Sequence, residues 1–596
     1  MKLNILSLAI SSTLMISLCG HHAMASGHMA ESTQKAGNLS STWQAWVDSR
    51  APDSDLMATD FSGSSQPVVT NFSYAGYRQS EQPLPTLNKA FSCSSGATID
   101  PATGYTIFDI TQYGAIPNDG KSDKAAVRDA IAVAEKAIQK GSVKGVVLLF
   151  PKGRYRMNES SDMALIDPDS KESLASQSIA VTESHFILRG CGSETELYMD
   201  QPHLPMDPKK LYSIPRLFSL GEGHREKVGT ITQPIKGGTS KQLQVSDTKD
   251  LKVGDWIEVF AKVSSPDRIQ EHMGPYRVEP SMKKLKQGLE LREIHQVTAI
   301  NGTTLTLAAP VQVDIHPDDK WTVYRSERTE EIGVEDLAFR GNWKEKFKHH
   351  KSAIHDSGWG FITIRKSANS WVKDVTFTDF NQGLQLTDTV NSTVMDISFH
   401  GNPGHLSLQF QRSFNNLSMN VRDEADTWHS PGFSHYSSSN VHLNTWYSST
   451  SSPDLHAAQP RINLFDRTEG GWIYGRWGGA TVNQPNHLIG LVFWNPKNSA
   501  VAYSSDEPYE FMRPSAFGRM IMPVVVGMHG KPVHFASQQD YYRYINRKEP
   551  QLYKKALPDE PQAYVESNGQ PVLPGSLFLA QLEYRLGEIP NWLMEQ

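Results

Sequence analysis

Ile364, Leu386 and Leu408 recur at steps of 22 residues, and Phe377, Phe399 and Val421 recur at the same step on a second segment of each period. A fixed step of this size marks a chain built from stacked coils, because one coil cannot bury its apolar face until a neighbour covers it. The pattern therefore predicts an all-β solenoid of stacked parallel β-helix coils. Further on the coils lengthen. Val421 to Thr445 is a step of 24, and the stretch between Tyr447 and Arg461 breaks the register. Loops inserted on one side of consecutive coils raise walls around a groove.

The first residues read as an export signal. Lys2 precedes the apolar run Ile5 to Leu18, and Ala23-Met24-Ala25 supplies small residues before Ser26. This predicts a signal peptide over 1–25 and a periplasmic or secreted mature protein. A lipid anchor at Cys19 is the competing reading, disfavoured by Leu18 just before it. No later stretch is apolar for long enough to span a bilayer. The mature chain keeps Cys93 and Cys191, too few for a zinc cluster and enough for one disulfide between the N-terminal segment and the first coils. A net charge of −6, with Lys and Arg spread along 596 residues, argues against a nucleic-acid partner. An anionic sugar polymer needs only a local cationic groove. The chain is expected to act as a monomer.

Residues 26–100, rich in Ser, Pro, Gly and Thr, read as an irregular N-terminal segment. Then Phe108 to Ala115 leads into Asn118-Asp119-Gly120, and an amphipathic helix from Lys124 to Lys140 carries Val127, Ala130, Ile131, Ala134 and Ile138. A short strand, Val146 to Phe150, is turned by Pro151-Lys152-Gly153-Arg154-Tyr155. This order closely resembles the opening of the pectate-lyase-like β-helix superfamily, and Ile187 to Gly192 fits that superfamily's next turn. The resemblance covers about 90 residues and implies a right-handed parallel β-helix, with the helix capping the open end of the solenoid. It specifies fold far better than reaction.

The capping region and first coils span 101–227. Over 228–328, alternating segments such as Val253 to Val259 and Thr304 to Leu307, separated by Gly-Asp and Asn-Gly turns, predict a small inserted β-barrel. Coils with site-bearing loops resume over 329–510, and 511–596 ends in an amphipathic helix from Ser576.

Side chains alternate along each strand, so outward residues of successive coils form ladders with a spacing of about 4.8 Å. Taking Ile364, Leu386, Leu408, Phe433 and Leu464 as inward places Arg365, Gln385, Thr387, Gln409, Gln411, Ser434, Tyr436, Arg461 and Asn463 outward, a strip suited to a sugar chain. The bland alternative is a solvated sheet face. Histidines crowd the same region, and imidazole is the side chain that ionises nearest neutrality. A lyase acting on a uronate polymer needs a base, a proton donor and a cation or amide at the carboxylate. His456, Arg461, His435, Tyr436, His429 and His405 are the catalytic candidates. Arg365, Gln409, Gln411, Arg412, Gln459, Asn463, Arg476 and His487 are the candidates for substrate binding. By alternation His435 turns toward the core, and His456 lies in a loop before Arg461. His349, His350 and His355, beside Asp356, could make a metal site, but a solvated loop of His and Lys is the favoured reading, so no metal ligands are assigned. No cofactor is required, with calcium the one ion left open.

The expected function is cleavage of an anionic, uronate-containing polysaccharide by β-elimination. The rivals are a β-helix hydrolase using two carboxylic groups, for which Asp423, Glu424, Asp426, Asp454 and Asp466 are available, and a non-catalytic carbohydrate-binding solenoid.

Overall fold

A computed structural model describes residues 38–50, 66–86, 93, 96–207, 209–474, 476–500, 507–513 and 518–594. The export signal and the expected mature start at Ser26 lie outside the described residues. Among the described residues no helix is long and apolar enough to cross a membrane.

The body is a parallel β-helix. One face carries a 17-stranded sheet whose rungs include Trp371–Thr378, Thr393–His400, Leu417–Asp423 and Val441–Tyr447, each paired in parallel with the next. A second face is a seven-stranded parallel sheet. Five of its strands floor the candidate site: β1 (Gly360–Arg365), β2 (Gln382–Thr387), β3 (Leu406–Gln411), β4 (Gly432–Ser434) and β5 (Asp454–His456). Between the faces, single bridges join Ala368, Val390, Phe414, Ser438 and Arg461 in a narrow third column.

Each coil bends where a residue takes a left-handed backbone, and these corners stack. Asp374, Asp396, Asn420 and Asn444 occupy one corner with φ of 53°, 56°, 55° and 50°. Asp and Asn tolerate that conformation better than other non-glycine residues. The neighbouring corner is lined inside by Asn416, Asn440 and Asn463. Asn416 donates to Asn440 at 3.0 Å and Asn440 to Asn463 at 3.1 Å, and the same carbonyl oxygens accept backbone N–H groups of the preceding coil. Buried amides are thereby satisfied along the axis of the stack. The core between the sheets is apolar, with Phe339, Phe377 and Phe399 stacked at 5.3 and 5.1 Å.

The inferred registers need two corrections. Leu386 stands over Phe410, not Leu408, and Ile397, not Phe399, stands over Val421, because those coils are 24 residues long. Leu464 belongs to the other sheet, where it pairs with Val441. The strand above β4 is β5, so Phe433 pairs with Leu455.

The helix Lys124–Gln139 buries Val127, Ala130, Ile131 and Ala134 at the start of the stack. Residues 225–326 leave the coil pattern for a six-stranded antiparallel sheet, and a bridge between Ile231 and Val245 joins its two edges into a barrel. Cys93 and Cys191 form the expected disulfide, with Cα atoms 5.7 Å apart. The N-terminal segment, read as irregular, holds a helix, Ser41–Asp48. Its Trp46 is fully buried and packs edge-on against Tyr584 of the helix Leu577–Leu586.

Candidate functional site

Strands β1 to β5 present two outward rows. One runs through Arg365, Thr387, Gln411, Ser434 and His456, and the other through Thr363, Gln385, Gln409, Gly432 and Asp454. Between them Ile364, Leu386, Phe410, Phe433 and Leu455 point inward and are buried. Two of the walls above this floor are the barrel, through Phe260, Glu290 and Arg292, and the loop carrying Phe347, His349 and His350 with the helix Ala353–Ser357. A cavity of about 520 Å³ lies on the barrel side, lined among others by Lys366, Asp388, Arg412 and Tyr436.

Asp454 is the centre of the polar cluster. It is 1% exposed, with His429 Nδ1 at 3.2 Å from one oxygen and His456 Nδ1 at 3.4 Å from the other. Gln409 donates to it at 3.2 Å across the rung of Gly432. That reach depends on Gly432 having no side chain, since a Cβ there would meet the backbone of Asp454. Burial opposes ionisation of Asp454, but His429 and His456 outweigh it and hold the carboxyl well below the usual range.

His429 is fully buried and donates from Nδ1 to the Arg476 carbonyl at 2.7 Å. Burial lowers its pKa, as it does that of His405, which is pushed well below the ordinary imidazole value. His456 is the open member, with 22% of its side chain exposed. Its ring lies against Gly478, where any Cβ would take its place. Arg476 stands over Trp428 at 4.8 Å, joining the same wall.

His435 is not turned to the core. It sits at a left-handed corner with φ 43°, in the column of Lys366, Asp388 and Arg412, where strict alternation ends. Gln411 donates to His435 Nδ1 at 3.1 Å, and its ring is 6.5 Å from that of His456. Burial first, then His456, pushes His435 down to about 4. Tyr436 follows it into the cavity lining, and burial raises its phenol.

Three inferred site residues face elsewhere. Arg461 is 1% exposed beneath the barrel, donating to the Arg292 carbonyl at 3.2 Å with Glu293 at 3.9 Å. Burial lowers its guanidinium to about 10. Asn463 and His487 close the internal amide ladder, 3.1 Å apart. The outward strand is Asp454–His456, so His456 is a strand residue rather than part of a loop. Gln459 is buried and accepts from the Glu290 N–H, tying the coil to the barrel. Arg365 remains outward, four rungs from His456 along the row. Sequence reasoning set His349 aside as part of a solvated loop and did not consider Phe347. Their rings pack 5.1 and 5.6 Å from that of His405.

A family model described as "Domain of unknown function (DUF4955)" matches residues 426–596. No curated protein matches the chain. Similar solved structures include the tailspike protein gp49 from Pseudomonas phage LKA1, at 12% identity over 71% of this chain and 63% of that one, with a TM-score of 0.40. The family 28 exopolygalacturonase of Yersinia enterocolitica is 9% identical over 78% and 79%, with a TM-score of 0.31. PfbA, a surface adhesin of Streptococcus pneumoniae, is 10% identical over 73% and 84%, with a TM-score of 0.28. The chain spans less than two thirds of the tailspike's length. On its own stacked parallel coils, capping helix and inserted barrel, the chain is a parallel β-helix protein.

Proposed function

We propose that the protein is a polysaccharide lyase that cleaves a uronate-containing chain lying in the groove over β1 to β5. The observation that carries this reading is the pair Asp454 and His456: a buried ionised carboxylate that orients a partly open imidazole on the groove floor. In the proposed reaction His456 takes the proton from the carbon beside the uronate carboxylate. The electron pair of that C–H bond forms the new C=C bond, and the bond from the adjacent ring carbon to the glycosidic oxygen breaks. Tyr436 returns a proton to the leaving oxygen. Arg412, 40% exposed, and Gln411 face the carboxylate and make the proton acidic. Other groups beside the groove are matched to positioning. Glu258 is paired with Arg292 and Arg225, and Asp388 with Arg292 and with Nε of Arg412, so these carboxylates are already engaged by cations and suit a hydrolytic acid and nucleophile poorly. The Cys93–Cys191 disulfide suits an oxidising compartment, in keeping with export.

The test is incubation of the purified protein with a panel of uronic and neutral polysaccharides, following ultraviolet absorbance and reducing ends together. The reading expects absorbance from unsaturated uronate ends on at least one uronic polymer. Reducing ends without absorbance would make the protein a hydrolase, and binding with neither would make it a carbohydrate-binding solenoid.

A further inference from the structure

We infer that His349, His350 and His405 bind a divalent transition metal of the zinc class at the end of the groove formed by the loop of Phe347 and the start of β3. Each offers one imidazole nitrogen, and the three atoms all lie within 4.8 Å of one another. Tetrahedral zinc with bonds of about 2.1 Å sets its ligand nitrogens about 3.4 Å apart, so closing the set requires the ring of His350 to turn out of its 3.7 Å stack on His349. His350, 42% exposed, has room to make that turn.

Two further features point to a ligand rather than to packing alone. The Nε2 atoms of His349 and His405 are buried without a hydrogen-bond partner, and His405 as a whole is 6% exposed. A buried ring nitrogen left unpaired is destabilising, and coordination would offset that cost. An outer-shell carboxylate is also in place. Asp356 is fully buried, accepts from the His350 N–H at 2.9 Å, and holds its second oxygen, itself unpartnered, 4.0 Å from His350 Nε2. A carboxylate behind a ligating imidazole is the usual support of such centres, and it supplies negative charge against the cation. Tyr212 lies 3.3 Å from the same His350 nitrogen, so His350 would ligate through Nδ1.

Imidazole donors favour zinc-class ions, whereas calcium requires oxygens. The fourth position faces His429, whose Nε2 is also buried and unpartnered and whose ring lies 5.1 Å from that of His405 and 5.3 Å from that of His349. A cation here would meet an anionic group on a chain lying along the groove. That last role rests on the lyase reading, while the binding itself does not.

The experiment uses the full-length protein stripped with a chelator and titrated with Zn²⁺ alone, by competition with a chromophoric chelator and by metal analysis after desalting. One Zn²⁺ per chain is expected, undisturbed by millimolar Ca²⁺, with a rise in thermal midpoint. His405→Ala and His349→Ala should each weaken binding by at least about a hundredfold, beyond the 10–100-fold expected for Asp356→Asn as an outer-shell change. His350→Gln, at an exposed position, serves if either alanine variant misfolds, and should weaken binding as well. Absence of Zn²⁺ binding by the wild type overturns the inference. So does binding that survives His349→Ala, His405→Ala and His350→Gln but is lost in Asp454→Asn, which would place the ion in the cluster of His429, Asp454 and His456. No polysaccharide enters these measurements, so their outcome is independent of the lyase reading.

Discussion

In the proposed reaction Asp454 orients His456 rather than reacting itself, which separates it from the residues around it. Replacing it with Asn keeps the shape and Gln409's reach but removes the charge that fixes His456. Turnover on a cleaved uronic polymer should fall by at least about a hundredfold with little change in KM, as measured from initial rates of absorbance. Arg461 should behave oppositely. It lies under the barrel beside Glu293, so Arg461→Ala is expected to cost roughly 3 kcal/mol in denaturant unfolding while the folded variant keeps turnover within a few-fold of wild type. Asp466 carries a third prediction. It is fully buried at the start of the helix Leu577–Leu586, donated to by Ser576 and the Phe578 N–H, and burial raises its pKa to about 6. A carboxyl whose folded pKa lies above its unfolded value contributes stability that is complete below about pH 4 and is lost as pH rises through about 6. Asp466→Asn should therefore lose less stability than wild type between pH 5 and pH 8, by roughly 1 kcal/mol, read from thermal or denaturant unfolding at the two pH values.

At the scale of elements, the amide ladder is what keeps successive coils in one register. Asn440→Ala removes a side chain that donates to Asn463 and to two backbone carbonyls, leaving buried partners unpaired on both sides. A loss of about 2–4 kcal/mol in unfolding free energy is expected, with the coil period intact. The same elements show where reading a sequence succeeds and where it stops. Long rungs such as Trp371–Thr378 announce themselves through Val375 and Phe377, so the solenoid and its two sheets were legible. Strand β5 was not, because Ser-Ser-Pro-Asp-Leu-His offers a single inward apolar residue, Leu455, while Ile462 and Leu464 nearby imitate the expected alternation. That one substitution of strand moved Arg461 and Asn463 onto the groove and left His456 in a loop. His435 was misdirected for another reason, since alternation does not carry through a corner at positive φ. Corners themselves have a signal in retrospect, the Asp and Asn residues at 374, 396, 420 and 444. The pairing of His349 with His405 had none, because it joins residues of different coils through a loop.

For the whole molecule, the β-helix forms the floor of the groove, and in the proposed reading the departures from it bring the reacting side chains together. The barrel brings Arg292 and Glu290 over one end of the rungs, the loop of His349 and His350 stands over the other, and the segment through Arg476 and Gly478 packs on His429 and His456 between them. The central claim is that a sugar chain lies across β1 to β5 with its reacting unit at His456. The most direct measurement is a crystal structure of Asp454→Asn with an oligosaccharide from whichever uronic polymer the wild type cleaves. The account predicts the chain between the barrel and the loop of Phe347, with the carbon that loses its proton within about 3–3.5 Å of a His456 nitrogen and the uronate carboxylate beside Arg412. An oligosaccharide bound on the 17-stranded face, or one in the groove with its scissile bond out of reach of His456, would contradict it.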